Sequence, residues 1–101
     1  MTDKLKEIID YYGEEKQMIK AIEEMSELQK ELCKTLIGKG NRDSLVEEIA
    51  DVQIMLDQLK LIVGDPISKY NWANEYTEDC EIELKTIMQY KIDRTIERIN
   101  Q

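Results

Sequence analysis

Phenylalanine is absent from this 101-residue chain, and proline occurs only once. Such scarcity of turn formers and bulky apolar rings excludes a β sandwich, and no low-complexity tract or internal repeat marks a disordered or repetitive protein. Cysteine is nearly absent too. Cys33 and Cys80 are too few and too far apart to form a disulfide framework or a CxxC site, so buried free thiols in a reducing compartment are expected. No apolar signal core follows Met1-Thr2-Asp3-Lys4-Leu5, and no hydrophobic run approaches membrane length. A cytoplasmic protein with no membrane partner is the expectation.

What the chain does have is charge on an apolar framework. Hydrophobic residues supply 42% and charged residues 36%, the profile of amphipathic helices. The length suits one domain over residues 1–101, with a core small enough that partner subunits would help it. The formal net charge of −8 argues against binding a nucleic-acid polymer, which needs basic surface. It leaves room for a single nucleotide whose phosphates are carried by a bound cation. An acidic mimic of DNA stays open as well.

Glycines divide the chain into about four helices, an all-α bundle. Residues 3–12 form the first, stopped at Gly13. Residues 14–37 form the second, with Met18, Ile22, Met25, Leu32 and Leu36 on one stripe. After Gly38 and Gly40, Ser44 starts the third, where Glu47 completes a capping box. This helix runs to about Val63 before Gly64-Asp65-Pro66. Residues 67–77, which include Trp72, show no clean period and read as loop. The last helix spans about 78–99, with Ile82, Lys85, Met88, Ile92, Ile96 and Ile99 on its inner side.

The second helix carries Glu23-Glu24-Met25-Ser26-Glu27, and the third carries Glu48-Ile49-Ala50-Asp51. Each contains an acid pair at i and i+3, so both carboxylates lean from one face. Two helices joined by a short loop are usually antiparallel, and acids on facing sides then converge. Hard oxygen ligands of this kind suit Mg²⁺, or Mn²⁺. The plain counter-reading is a solvated row of helix charges, with Lys20 pairing to Glu24. For Glu48 and Asp51 that counter-reading is weaker. The third helix is apolar almost all round, as a buried helix is. No Lys or Arg occurs between Leu45 and Leu59 to neutralise them. On the last helix Lys91, Arg94 and Arg98 form a basic stripe, either a phosphate clamp or a solvated face paired with Asp93 and Glu97.

Glu23-Glu24-x-x-Glu27 followed by Glu48-x-x-Asp51 resembles the MazG-like all-α nucleoside triphosphate pyrophosphohydrolases. That family is related to the dimeric dUTP and dCTP pyrophosphatases and to phosphoribosyl-ATP pyrophosphatase. The resemblance covers residues 12–61 and 90–99. It implies that Glu24, Glu27, Glu48 and Asp51 are metal ligands, that Glu23 helps orient the attacking water, and that Lys91 and Arg94 face the phosphates. The implied reaction is hydrolysis between the α and β phosphates, giving a monophosphate and pyrophosphate. Active sites completed across subunits, and so a homodimer or homotetramer, are implied too. The apolar third helix points the same way, with residues 45–63 central to an interface. The base is not specified, and Trp72 is a candidate for stacking on it. Two alternatives are a dUTP- or dCTP-specific pyrophosphatase and an acidic helical interaction module with a degenerate site.

Overall fold

The computed structural model describes residues 1–65, 67, 68, 70 and 80–101. The described residues are all-α, in four helices: α1 (Thr2–Tyr12), α2 (Glu14–Leu36), α3 (Arg42–Val63) and α4 (Cys80–Ile99). No strand occurs among the described residues, and none of the helices is long and apolar enough to cross a membrane. Residues 66, 69 and 71–79 lie outside the description. The loop expected over 67–77, Trp72 and the expected helix start at residue 78 therefore fall wholly or largely outside it. The chain divides into two compact units, Met1–Ile62 and Val63–Gln101.

In the first unit a single residue separates α1 from α2. Gly13 adopts φ 94°, a conformation that side-chain-bearing residues rarely take, and its N–H donates to the Ile9 carbonyl at 2.7 Å. The chain changes direction there, and α1 packs on α2 with Ile9 buried. The end of α2 is closed by a paired turn. Lys39 N–H donates to Lys34 O at 2.8 Å and Gly38 N–H to Thr35 O at 3.1 Å, with Gly38 at φ 77°. This is the Schellman arrangement, which satisfies carbonyls the helix would otherwise leave open.

The third helix begins three residues earlier than the Ser44–Glu47 capping box implies. Asn41 Oδ1 accepts the Ser44 N–H at 2.8 Å, so the cap is Asn41 and Ser44 lies inside the first turn. The assignment of Glu47 to a capping box is therefore corrected: that side chain is exposed one turn further along.

Burial on α2 also differs from the apolar stripe. The residues turned inward are Gln17 and Ala21, then the half-buried Glu24, Leu28 and Glu31. These recur at intervals of four and three residues along one face. Ile22, Met25 and Leu32 are exposed, and Leu36 is 85% exposed. On α3 the buried residues are Met55, Gln58 and Ile62, while Val46, Ile49, Ile54, Leu56 and Val63 remain exposed. A single chain covers only one side of this helix, so its all-round apolar pattern does not mean all-round burial. Cys33 is exposed and Cys80 half-buried, neither in a disulfide, which corrects the expectation that they are buried.

In the second unit no residue of α4 is buried. Ile82, Met88, Ile92, Ile96 and Ile99, expected on its inner side, are exposed in the chain.

The cap assignment has a direct check. Asn41→Ala should destabilise the protein by about 0.5–2 kcal/mol, whereas Ser44→Ala should change stability far less. Urea denaturation of both variants measures this, and a larger loss from Ser44→Ala would return the cap to Ser44.

Candidate metal centre

Three carboxylates from two helices meet between α2 and α3. Each of Glu24, Glu48 and Asp51 offers one oxygen, and these oxygens lie within 4.8 Å of one another. The helical period explains the convergence. Glu24 continues the inward face set by Gln17 and Ala21 on α2, while Glu48 lies two turns before the buried Met55 on α3. Asp51, one turn on from Glu48, is the exposed member of the group.

The three differ in how their charge is met. The Glu24 side chain is 16% exposed, and Lys20 Nζ lies 3.3 Å from its Oε1. Glu48 Oε2 is buried and accepts no hydrogen bond among the described atoms. Burial pushes the Glu48 carboxyl above its ordinary range, and the negative charges of Asp51, Glu24, Glu27 and Glu31 push it further. The Lys20 ammonium is raised in turn, first by its hydrogen bond to Glu24 and that residue's charge, then by Glu23, with Asp51 acting from α3.

The donor set fits a hard divalent cation. Neighbouring oxygens around six-coordinate Mg²⁺ lie roughly 3 Å apart and opposite ones about 4 Å, so three oxygens within 4.8 Å need only a small contraction. The orphaned Glu48 oxygen supplies a ligand atom with no competing partner. No histidine exists in the chain, so an all-oxygen ligand set is the natural one.

The other residues singled out in the sequence fall elsewhere. Glu27 is not one of the three: its side chain is exposed and pairs with Lys30 at 3.5 Å, although its charge reaches Glu48. Glu23 is exposed and lies 3.8 Å from Lys20 Nζ. Lys91, Arg94 and Arg98 stand exposed on α4, in the second unit. There the Arg94 guanidinium lies 5.6 Å from the Tyr90 ring centroid, and Asp93 accepts a hydrogen bond from Gln89 at 2.9 Å. Glu31 lies outside the motif pattern. It is 15% exposed, pairs with Lys34 at 3.3 Å and adds to the field on Glu48. Its spacing of seven residues from Glu24 was the available signal.

The raised Glu48 carboxyl gives a stability prediction with a definite sign. A carboxyl whose folded-state pKa is raised favours folding while it is protonated, and that contribution is lost as pH rises through the folded value. In EDTA, this group should therefore stabilise the protein increasingly as pH falls toward the ordinary carboxylate range. Glu48→Gln should melt above the wild type near neutral pH and lose this part of the pH dependence. Thermal melts of both proteins across that range provide the test, and a variant melting below the wild type near neutrality would contradict the electrostatic assignment.

No protein-family model, no curated protein and no solved structure matches the chain, so the family resemblance stands on the motif residues alone.

Proposed function

We propose that this protein is a Mg²⁺-dependent nucleoside triphosphate pyrophosphohydrolase, with Mn²⁺ able to substitute. It would cleave between the α and β phosphates to release a monophosphate and pyrophosphate. The observation that supports this most is the meeting of Glu24, Glu48 and Asp51, one of them with a buried oxygen that has no partner. When bound, the cation would lower the pKa of an attacking water and offset charge developing on the phosphates.

The chain's own residues have distinct parts in this reading. Glu24 and Glu48 anchor the cation from opposite helices, and Asp51 holds its solvent-facing side because it is the exposed member. Glu27 and Glu23 supply further negative charge at the rim, where the resemblance gives them a ligand and a water-orienting role. The resemblance also gives Lys91 and Arg94 to the phosphates. An acidic interaction module is the second reading, and the Lys20–Glu24 pair favours it, since part of the cluster is neutralised without any metal.

A panel of standard and damaged nucleoside triphosphates, with pyrophosphate and monophosphate measured separately, distinguishes these readings. Turnover should require Mg²⁺ and vanish in EDTA. Glu48→Gln and Asp51→Asn should abolish it with the helical spectrum intact, while Glu47→Gln should keep most of it. The absence of pyrophosphate from every nucleotide would leave the interaction module as the better account.

The proposal includes a homodimer or homotetramer built on α3. Val46, Ile49, Leu56 and Val63 are exposed at spacings that keep them along one side of that helix. Light scattering at micromolar concentration should give at least twice the 11.9 kDa chain mass. Ile49→Glu combined with Leu56→Glu should lower the measured mass, and a monomeric, fully active wild type would defeat this part.

A further inference from the structure

We infer that Lys20 is the internal counter-ion of the acidic site, holding Glu24 when no divalent cation is present and releasing it when one binds. This rests on the metal-binding reading above and adds a residue that the motif pattern does not contain. Lys20 Nζ lies 3.3 Å from Glu24 and 3.8 Å from Glu23, and the charge of Asp51 reaches it from α3. Its side chain is 53% exposed against 16% for Glu24, so the ammonium sits at the rim of the cluster with a free path to water.

The order of residues along α2 separates this pair from ordinary helix salt bridges. Lysine and glutamate stabilise a helix best when the glutamate comes first, in keeping with the helix dipole. Glu27–Lys30 and Glu31–Lys34 follow that order; Lys20–Glu23 and Lys20–Glu24 reverse it. The reversed lysine also feels the charge of Asp51 on α3. Between Arg42 and Lys60, α3 contributes no cation of its own. The location of Lys20 therefore follows the charge of the cluster and not the local needs of the helix.

An ammonium and a divalent cation compete for the same Glu24 carboxylate. Binding of the metal must then displace Lys20, whose flexible four-carbon stem allows it to swing into solvent without backbone movement. The exchange keeps the helix pair intact in the absence of metal and weakens the apparent affinity for the metal by the strength of the ion pair.

The test is a Mg²⁺ titration followed by the thermal midpoint, with no substrate present, on the wild type, Lys20→Met and Lys16→Met. Lys20→Met should melt lower than the wild type in EDTA. It should reach half of its Mg²⁺-induced shift at about two- to fivefold lower Mg²⁺, the range expected for removing a partly exposed ion pair. Lys16→Met, which makes the same change in net charge away from the cluster, should follow the wild type. Equal half-shift concentrations for Lys20→Met and the wild type would overturn the counter-ion role while leaving the metal site standing. No Mg²⁺ shift in the wild type would overturn both.

Discussion

Repulsion between carboxylates across α2 and α3 is the constraint to which the rest of the first unit is adjusted. Glu24 and Glu31 on α2 are largely covered, and Glu48 on α3 has a buried oxygen, yet none of the three lies in an apolar pocket alone. The charges are met in three ways. Lys20 meets Glu24, Lys34 meets Glu31, solvent meets Asp51, and the Glu48 carboxyl shifts toward its neutral form. Unpaired charge in a dry setting is costly enough that a fold retaining it needs an external reason, such as a ligand.

That constraint also explains an unusual division of surface. On α2 the acids take much of the inner face, and the larger apolar side chains Ile22, Met25, Leu32 and Leu36 take the outer one. An isolated helix optimised for stability would be built the other way round. The inner face still closes, because Ala21 and Leu28 alternate with the polar residues and α1 supplies Ile9. Apolar area on the outside of α2 and α3 is the complementary result, and single scattered residues would not need explanation as this run does.

The helices themselves were legible in the sequence because their breaks are chemical. Gly13 and Gly38 take positive φ angles that few other residues accept, and both lie where the periodic pattern stops. The start of α3 falls earlier than the Ser44–Glu47 pattern implies because two capping patterns overlap, Asn41-x-x-Ser44 and Ser44-x-x-Glu47, and the earlier one closes the turn. The meeting of Glu24 with Glu48 and Asp51 was legible from i and i+3 spacing on consecutive helices, but its membership was not. Spacing cannot tell which of Glu23, Glu24 and Glu27 faces inward when the inner face is not the apolar one. Gln17 and Gln58 were missed for the same reason: counting apolar residues never nominates a carboxamide for the core. Yet Gln58 is 2% exposed, with an oxygen that accepts no hydrogen bond among the described atoms.

The acidic cluster lies inside both helices, more than three turns before the end of α2 and more than one turn after the start of α3. Helices ordinarily exchange their amide hydrogens first at frayed ends and last at the centre. Here like charge concentrates inside the helices and not at their ends. A cation held by Glu24, Glu48 and Asp51 would therefore act on backbone opening around residues 24–28 and 48–52 more than on the glycine turn between the helices.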